Sequence, residues 1–390
     1  MRLNKIITTI CISLVCSGLY SQKKTDPEYK GYYMFPVRPG EVNFLSGTMG
    51  ELRSSHFHAA IDIKTSGIQG LPIYAAADGY ISRIKISTGG YGNSLYMLHP
   101  NGATTVYAHL QKYEPELAYY IRSKQYEKET FEIELFPEDG EITYNKGEVI
   151  AYSGNSGSTS GPHLHWEIRD EHQNVLDPLR YGFKEIRDQI PPMVQKIALV
   201  TMDIKSRVNG RFGRFEFQVK RNGSMFSIQE PITVWGKIGV EILAHDKLDG
   251  ASNRNGIPCI EFSHNQEKIF EQDLESFSFS ESRNIFVHTN FETMRSTGKR
   301  YMKLYVDDGN ELRFYQTDER KGVLLIKDTL THELKIDLWD AYGNHGEASF
   351  TLKGKNDLSS VIQRFDQGTM RSDYRIFDNA LILQSLIEND

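Results

Sequence analysis

The feature that most constrains the fold is a series of short segments in which apolar and polar residues alternate, each ended by a turn signal. Segments 79–87, 94–99 and 104–110 show this alternation, and GG at 89–90 and PNG at 100–102 separate them. Successive side chains of a β-strand point to opposite faces, so each segment offers one face to a core and one to solvent or to a site. The pattern predicts a mainly β chain.

The length and composition predict two domains. The chain has 390 residues, of which 39% are hydrophobic and 25% charged, enough to bury real cores. Residues 35–180 form the first predicted domain, and a double proline ends the predicted linker 181–193. Strand-like segments then recur over 194–355 at a spacing typical of an immunoglobulin-like β-sandwich. We treat 356–390 as a C-terminal tail.

One segment of the first predicted domain breaks the alternation. Residues 114–128 have Pro115 near their start and no internal glycine, which predicts a helix. The helix would belong to an insertion, 113–143, in an otherwise all-β domain.

The N-terminus predicts an export signal. A short positive region precedes the mostly apolar run 6–15, which is too short to span a bilayer. We place cleavage after Ser21, so that residues 1–21 are the signal peptide. A lipoprotein signal at Cys16 is the competing interpretation, although Val15 stands where a small residue is needed. No other run approaches the ~20 apolar residues of a membrane helix, so we expect an exported protein of the periplasm or the cell surface, with no integral membrane span.

Charge and cysteine count exclude several classes of protein. The 45 basic and 51 acidic residues give a net charge of −6, which excludes a broadly basic nucleic-acid binder. Signal cleavage would leave Cys259 alone, so no intramolecular disulfide is expected. The oxygen-rich segment 246–256 lacks the residue order of a calcium-binding loop, and we interpret it as a polar turn.

Histidines and an aspartate fall on the polar faces of predicted strands. His58 and Asp62 are four residues apart on one strand, and His163 and His165 are two apart on another, so each pair shares a face. His109 stands alone in VYAHL. Imidazole and carboxylate groups are ligands for zinc, and three protein ligands with one open position are typical of a catalytic zinc site. The pattern predicts a metal site.

Several motifs together resemble a known family. HFHAAIDIKT, GLPIYAAADGYI, GGYGN, LHPNGATTVYAHL and NKGEVIAYSGNSGSTSGPHLHWEIRD resemble, in order and spacing, the lysostaphin-like (LytM-type) zinc endopeptidases over about residues 45–180. The resemblance implies a lysostaphin-like antiparallel β-sheet domain of the barrel-sandwich-hybrid type. It also implies one zinc ion held by His58, Asp62 and His165.

The resemblance further implies roles for residues beside the metal. His163 and His109 would take a proton from a metal-activated water and return it to the leaving amine, for which their near-neutral ordinary pKa is suited. The one departure from the family pattern is Ala60, where glycine is usual. From the residues alone, Tyr91 is either a hydrogen-bond donor to an oxyanion or a groove-wall or core aromatic. Glu167 is either a partner that orients a ligand or a solvated strand residue.

The function implied by the resemblance is hydrolysis of peptide bonds in bacterial peptidoglycan. We expect the peptide cross-links between peptidoglycan stems to be the substrate, with the insertion 113–143 as a groove wall or lid. Two alternatives remain open: a non-catalytic relative that binds and activates another wall hydrolase, and a secreted endopeptidase that acts on other proteins. A regulatory protein partner of unknown identity is compatible with each. The role of 194–355 stays open between wall binding, partner docking and a spacer.

Overall fold

A computed structural model describes residues 30–356 and two later strands, 373–377 and 380–384. The predicted signal peptide and Cys16 lie outside the described residues. Within those residues, no helix combines the length and the apolar character that crossing a membrane requires.

The first half of the chain is a β unit with one helical insertion, as predicted. Its main antiparallel sheet has the strand order β1-β2-β11-β6-β5-β4-β8, and β3, β10 and β7 form a small separate sheet. The strands of this unit are β1 (Leu45–Gly47), β2 (Ile61–Lys64), β3 (Pro72–Tyr74), β4 (Gly79–Ile86), β5 (Ser94–Leu98), β6 (Thr104–Ala108), β7 (Lys112–Tyr113), β8 (Ile133–Leu135), β9 (Thr143–Tyr144), β10 (Val149–Tyr152), β11 (His163–Arg169) and β12 (Val175–Leu176).

The alternation of β11 explains why it lies at the centre of the main sheet. Leu164, Trp166 and Ile168 are fully buried in the core of the first unit. His163 and His165 occupy the positions between them and therefore face the other side of the sheet. The buried, apolar face of β11 thus fixes the position of its other face, which carries residues of the candidate site.

The predicted helix is present as α1 (Pro115–Glu127). The Glu114 side chain caps it by accepting hydrogen bonds from the backbone N–H groups of Glu116 and Leu117. Leu117 and Ile121 are buried against the first unit, and a short 3₁₀ helix, Pro178–Tyr181, follows the last strand of the unit.

The second unit is also built from strands. Its largest sheet has the order β15-β13-β18-β26-β25-β19-β20-β23. The strands are β13 (Met193–Thr201), β14 (Arg207–Val208), β15 (Arg214–Gln218), β16 (Lys220–Asn222), β17 (Met225–Ser227), β18 (Ile232–His245), β19 (Cys259–His264), β20 (Glu267–Asp273), β21 (Ser276–Phe277), β22 (Met302–Lys303), β23 (Tyr315–Thr317), β24 (Leu324–Ile326), β25 (Thr331–Trp339) and β26 (His345–Gly354), with a 3₁₀ helix Ser282–Asn284 and the helices α2 (Ile285–His288) and α3 (Phe291–Thr297).

Two features of the second half bear on the predictions. The turn between β25 and β26 contains Gly343 at φ 83°, as expected for a hairpin signal of this kind. In the predicted tail, β27 (Asp373–Phe377) and β28 (Ala380–Gln384) pair with each other. The likeness of the second unit to an immunoglobulin-like module stays a prediction.

The two units are joined by more than a linker. Strand β21 pairs with β12 and so extends the main sheet of the first unit. Phe57 of the first unit lies against Phe277 and Phe314, with ring centroids 5.7 and 5.9 Å apart. Phe183 and Ile186 of the predicted linker are buried in the first core. The first part of the predicted linker 181–193 therefore packs on the first unit.

Candidate metal centre and active site

The register of β11 brings the predicted site residues together. His165 lies opposite Asp62 of β2 on one side and opposite Ala108 of β6 on the other. The next residue, His109, has a φ of 60°, in the left-handed region that side chains other than glycine rarely adopt. Its ring centroid lies 4.8 Å from that of His163 and 5.6 Å from that of His165. His109, directly after β6, thus lies beside the polar face of β11.

Three side chains present donor atoms to one point. His58 Nε2 and His165 Nδ1 each lie 3.1 Å from Asp62 Oδ1, and all three residues are buried. The other ring nitrogens are engaged: His58 Nδ1 donates to the carbonyl oxygen of Thr48 at 2.9 Å, and His165 Nε2 donates to Glu167 Oε1 at 2.8 Å. Hydrogen bonds of this kind fix the tautomer and orientation of metal-binding histidines. The donor set of two imidazole nitrogens and a carboxylate fits a zinc ion.

The two remaining predicted histidines flank this cluster. His163 Nδ1 donates to the carbonyl oxygen of Gly161 at 2.8 Å, and its Nε2 lies 3.5 Å from Asp62 Oδ1. His109 Nδ1 donates to the carbonyl oxygen of Ser156 at 2.8 Å, which leaves Nε2 as the nitrogen for proton exchange. Each ring is therefore held from behind, at Nδ1, by a backbone carbonyl.

Comparison with known proteins is consistent with this geometry. Residues 56–125 match the model of peptidase family M23. The chain is 31% identical over 116 residues to lipoprotein NlpD of Yersinia enterocolitica, a match that covers 30% of this chain and 94% of that protein. The chain belongs to peptidase family M23.

Other relatives share only the M23 domain. The DD-carboxypeptidase/endopeptidase Mpg of Neisseria meningitidis serogroup B is 34% identical over 145 residues, covering 37% of this chain and 24% of that protein. The chain thus spans about a quarter of the length of this relative. Among solved structures, the catalytic domain of lysostaphin from Staphylococcus simulans has 20% identity and a TM-score of 0.27, covering 36% of this chain and 91% of that chain.

Hydrogen bonds within the M23 cluster shift the pKa values of Asp62 and His165. Burial by itself would raise the pKa of Asp62, but hydrogen bonds from His163, His165 and His58 bring it well below its ordinary value. Burial likewise opposes the charged form of His165, yet its hydrogen bonds to Asp62 and Glu167 raise its pKa to about 9. The carboxylates around His165 therefore attract positive charge strongly, as a metal site requires.

The pKa of His109 moves in the opposite direction. Burial is the main cause, and the neighbouring His165 and His163 add to it, so the pKa of His109 falls to about 4. At neutral pH this ring is uncharged and has a free lone pair, which is the form that a general base needs.

Glu167 and Tyr91 lie behind the cluster. Glu167 is fully buried and is also held by Arg169 at 2.6 Å, so it is a partner that orients His165 rather than a solvated strand residue. The Tyr91 hydroxyl donates to Glu167 Oε1, and burial raises the pKa of Tyr91 well above its ordinary value. This contact occupies the hydroxyl proton and gives no support to the predicted oxyanion role, which stays a prediction.

Two residues of the site were missed by the sequence analysis. Arg53 donates to Asp62 Oδ2 at 3.2 Å and also pairs with Glu51 at 3.0 Å. Gly47 lies opposite Asp62 in the sheet, and a Cβ there would come within 2.6 Å of Arg53 and 2.8 Å of Asp62 Oδ2. Neither Gly47 nor Arg53 lies in a segment of alternating apolar and polar residues, so no local sequence pattern indicates that it contacts the site.

Proposed function

We propose that the chain is an exported zinc endopeptidase that hydrolyses the peptide cross-links of bacterial peptidoglycan. The observation that carries the proposal is the completeness of the cluster: the predicted ligands His58, Asp62 and His165 converge, and His163 and His109 flank them. A non-catalytic relative would be free to lose any of these groups. The similarity to the Neisseria DD-carboxypeptidase/endopeptidase supports hydrolysis of peptide bonds.

The side chains of the cluster have separate tasks in this proposal. A zinc ion held by His58, Asp62 and His165 would supply Lewis-acid polarisation of the scissile carbonyl and a water of lowered pKa. His109, uncharged at neutral pH, accepts a proton at Nε2. His163 holds its Nε2 toward the cluster for the return of a proton to the leaving amine.

The insertion 113–143 is proposed to form one wall of the substrate groove. Its Glu132 accepts hydrogen bonds at 2.6 Å from both the backbone N–H and the hydroxyl of Thr88. Thr88 directly precedes the GGYGN loop, and Gly90 of that loop donates to Ser158 Oγ at 2.9 Å. The insertion is thereby attached to the loops that border His163.

Purified residues 22–390 with zinc, incubated with isolated peptidoglycan sacculi, test the proposal. Mass spectrometry is expected to show cross-linked dimers converted to monomers. His165→Ala is expected to lose both zinc and hydrolysis, whereas His163→Ala is expected to keep zinc and lose hydrolysis. His172→Ala is the matched control, because the His172 side chain is 77% exposed.

The outcomes separate the alternatives. Full hydrolysis by His163→Ala would contradict the division of roles. A zinc-loaded wild-type protein that leaves sacculi intact but stimulates another wall hydrolase would support the non-catalytic alternative. Cleavage of unrelated proteins with intact sacculi would support the general endopeptidase.

A further inference from the structure

Three aspartates from distant parts of the sequence meet where the two units join. Asp188 lies in the predicted linker, Asp246 directly follows β18, and Asp340 directly follows β25. One carboxylate oxygen from each lies within 4.8 Å of those of the other two. They line a cavity of about 10 Å³, which is roughly the space for one water-sized sphere.

Several polar atoms around this cavity have no hydrogen-bond partner among the described residues. Asp246 is only 3% exposed, and its Oδ1 is buried and unpartnered. Asp188 Oδ2 and the hydroxyl oxygen of Tyr342, which also lines the cavity, are buried and unpartnered as well. Buried polar atoms in folded proteins are normally paired. Three such atoms around one small cavity indicate an occupant that satisfies them.

Other oxygens of these carboxylates accept hydrogen bonds from nearby groups, and Asp340 Oδ2 accepts one from Asn344 Nδ2 at 2.7 Å. Asp340 Oδ1 accepts hydrogen bonds from the backbone N–H groups of Tyr342 at 2.8 Å and Asn344 at 2.9 Å. Asp188 Oδ1 accepts one from the backbone N–H of Ile190 at 2.9 Å. The acidic groups are therefore held toward one another by their own loops rather than free to turn away.

The charges at this position are not balanced by basic side chains. Within residues 30–356, none of the three aspartates forms an ion pair with lysine or arginine. Burial, with the neighbouring carboxylates adding to it, raises the pKa of Asp188 well above its ordinary value, and Asp188 and Asp340 are close enough to share a proton in a hydrogen bond. Burial, with Asp340 adding to it, raises the pKa of Asp246 to about 8. Either protons or a cation must compensate the carboxylates near neutral pH.

We propose that Asp188, Asp246 and Asp340 bind one hard divalent cation of the calcium class, at a site separate from the M23 zinc cluster. A donor set made only of oxygens is typical of calcium or magnesium rather than zinc. Oxygens on opposite sides of Ca²⁺ lie roughly 4.6–5.2 Å apart, given Ca–O distances of about 2.3–2.6 Å. Carboxylate oxygens within 4.8 Å of one another can share one such ion, and a cavity of about 10 Å³ has no room for the several waters that magnesium usually keeps.

The site would fasten three segments that the backbone connects only indirectly: the linker, the end of β18 and the turn after β25. Its cavity wall also includes Thr48 of the first unit. The carbonyl oxygen of Thr48 accepts the hydrogen bond from His58 Nδ1, and Gly256 N donates to the Thr48 hydroxyl at 3.3 Å. A bound cation would therefore stiffen the segment that orients one zinc ligand.

The test is calcium binding by purified, zinc-loaded residues 22–390. Isothermal titration with CaCl₂ is expected to give one site per chain, and calcium at ~100 times its Kd is expected to raise the Tm by about 5 °C. Asp246→Asn and Asp340→Asn are expected to lose both the binding and the Tm shift. Asp139→Asn, at an exposed position, is the matched control and is expected to keep both.

Two further measurements distinguish calcium binding at the junction from folding defects and from effects at the zinc site. His165→Ala is expected to bind calcium as the wild type does, because His165 is not part of the cavity wall. MgCl₂ in place of CaCl₂ is expected to shift the Tm less. Absence of calcium binding by the wild type, or an equal calcium response in wild type and Asp246→Asn, would overturn the proposal.

Discussion

The two candidate metal positions of this chain are built in opposite ways. The M23 cluster draws Asp62, His163 and His165 from the paired strands β2 and β11, and His58 and His109 from the residues just before β2 and just after β6. Each ring has one nitrogen held by a carbonyl or carboxylate. The acidic cavity at the junction draws Asp188, Asp246 and Asp340 from three separate loops and has oxygen donors alone. The first site mixes nitrogen with oxygen and is typical of zinc, whereas the second suits a hard cation.

The two positions also differ in how their own side chains balance the charge of the carboxylates. In the M23 cluster, histidine rings hydrogen-bond to Asp62, so the carboxylate stays ionised and satisfied. At the junction, carboxylates face carboxylates, and Asp246 keeps its proton up to a pKa of about 8. Hydrogen bonds therefore hold the M23 cluster together, whereas the carboxylates at the junction repel one another unless a cation or protons compensate their charge.

The largest expected effect is at the carboxylate of the M23 cluster. Asp62→Asn removes the one charged ligand and is expected to lower hydrolysis of sacculi by about 1,000-fold, since a metal ion contributes several kcal/mol of transition-state stabilisation. Zinc content measured by atomic absorption should fall in parallel. Asp308→Asn serves as the control, because the Asp308 side chain is 94% exposed, and unchanged zinc content in Asp62→Asn would contradict the assignment of this ligand.

How much of the site was predictable follows from where its residues lie. His163 and His165 occupy alternate positions of β11, so their shared face can be deduced from sequence spacing alone. His58 was predicted to lie on one strand with Asp62, but β2 begins only at Ile61, so it is the packing of the segment before β2 that brings His58 to Asp62. His109 was predicted through its motif, but its φ of 60° at the end of β6 is visible only in the structure.

Other groups could not be predicted because tertiary packing places them. Gly47 and Arg53 act through the register of β1 against β2 and through an irregular segment that has no periodicity. Asp246 belongs to the segment that we interpreted as a polar turn. The other two aspartates of the acidic cavity, Asp188 and Asp340, are distant from that segment in sequence. Fold class followed from the alternation, whereas the packed junction between the units depended on long-range pairing such as that of β21 with β12.

The next largest effect is expected from a methyl group beside the M23 cluster. Gly47→Ala would place a Cβ within 2.8 Å of Asp62 Oδ2 and 3.2 Å of His58 Cε1, so two ligands must shift. We expect zinc affinity to fall about 100-fold, the upper end of the range for disturbed outer-shell groups. Competition with a fluorescent zinc chelator measures this. Gly161→Ala is the control, because a Cβ at Gly161 meets nothing within 4 Å; equal affinities in the two variants would contradict the steric argument.

A smaller effect is expected from the carboxylate behind the metal ligand. Glu167→Gln keeps the shape of the side chain but weakens the charge-assisted bond to His165 Nε2. Zinc affinity is expected to fall about 10-fold, at the lower end for such a group. Wild-type affinity in this variant would show that Glu167 serves only to neutralise Arg169.

The Tyr91→Phe variant distinguishes two possible roles of the Tyr91 hydroxyl. If Tyr91 acts through its hydrogen bond to Glu167, the variant weakens zinc binding slightly and kcat recovers at saturating zinc. If Tyr91 donates to an oxyanion as first predicted, kcat stays low at saturating zinc while zinc affinity is unchanged. The contact with Glu167 favours the first outcome.

The last prediction concerns stability rather than hydrolysis or zinc affinity: the stability of the junction should depend on pH. The pKa of Asp246 is raised from 3.8 to about 8, mainly by burial, and the titratable groups around it are Asp188, Asp340, Asp177 and Tyr342. Between these two values the folded protein holds a proton that the unfolded chain has released. Stability without divalent cations should therefore fall as pH rises through this window, by up to about 1.4 kcal/mol per pH unit for one proton. Urea unfolding at several pH values measures the slope. Asp246→Asn should reduce it by the share of one proton, since Asp188 still titrates in that variant, added calcium should flatten it, and Asp139→Asn should leave it unchanged. A wild-type slope that persists in Asp246→Asn would place the titrating group elsewhere and remove the contrast between the two clusters.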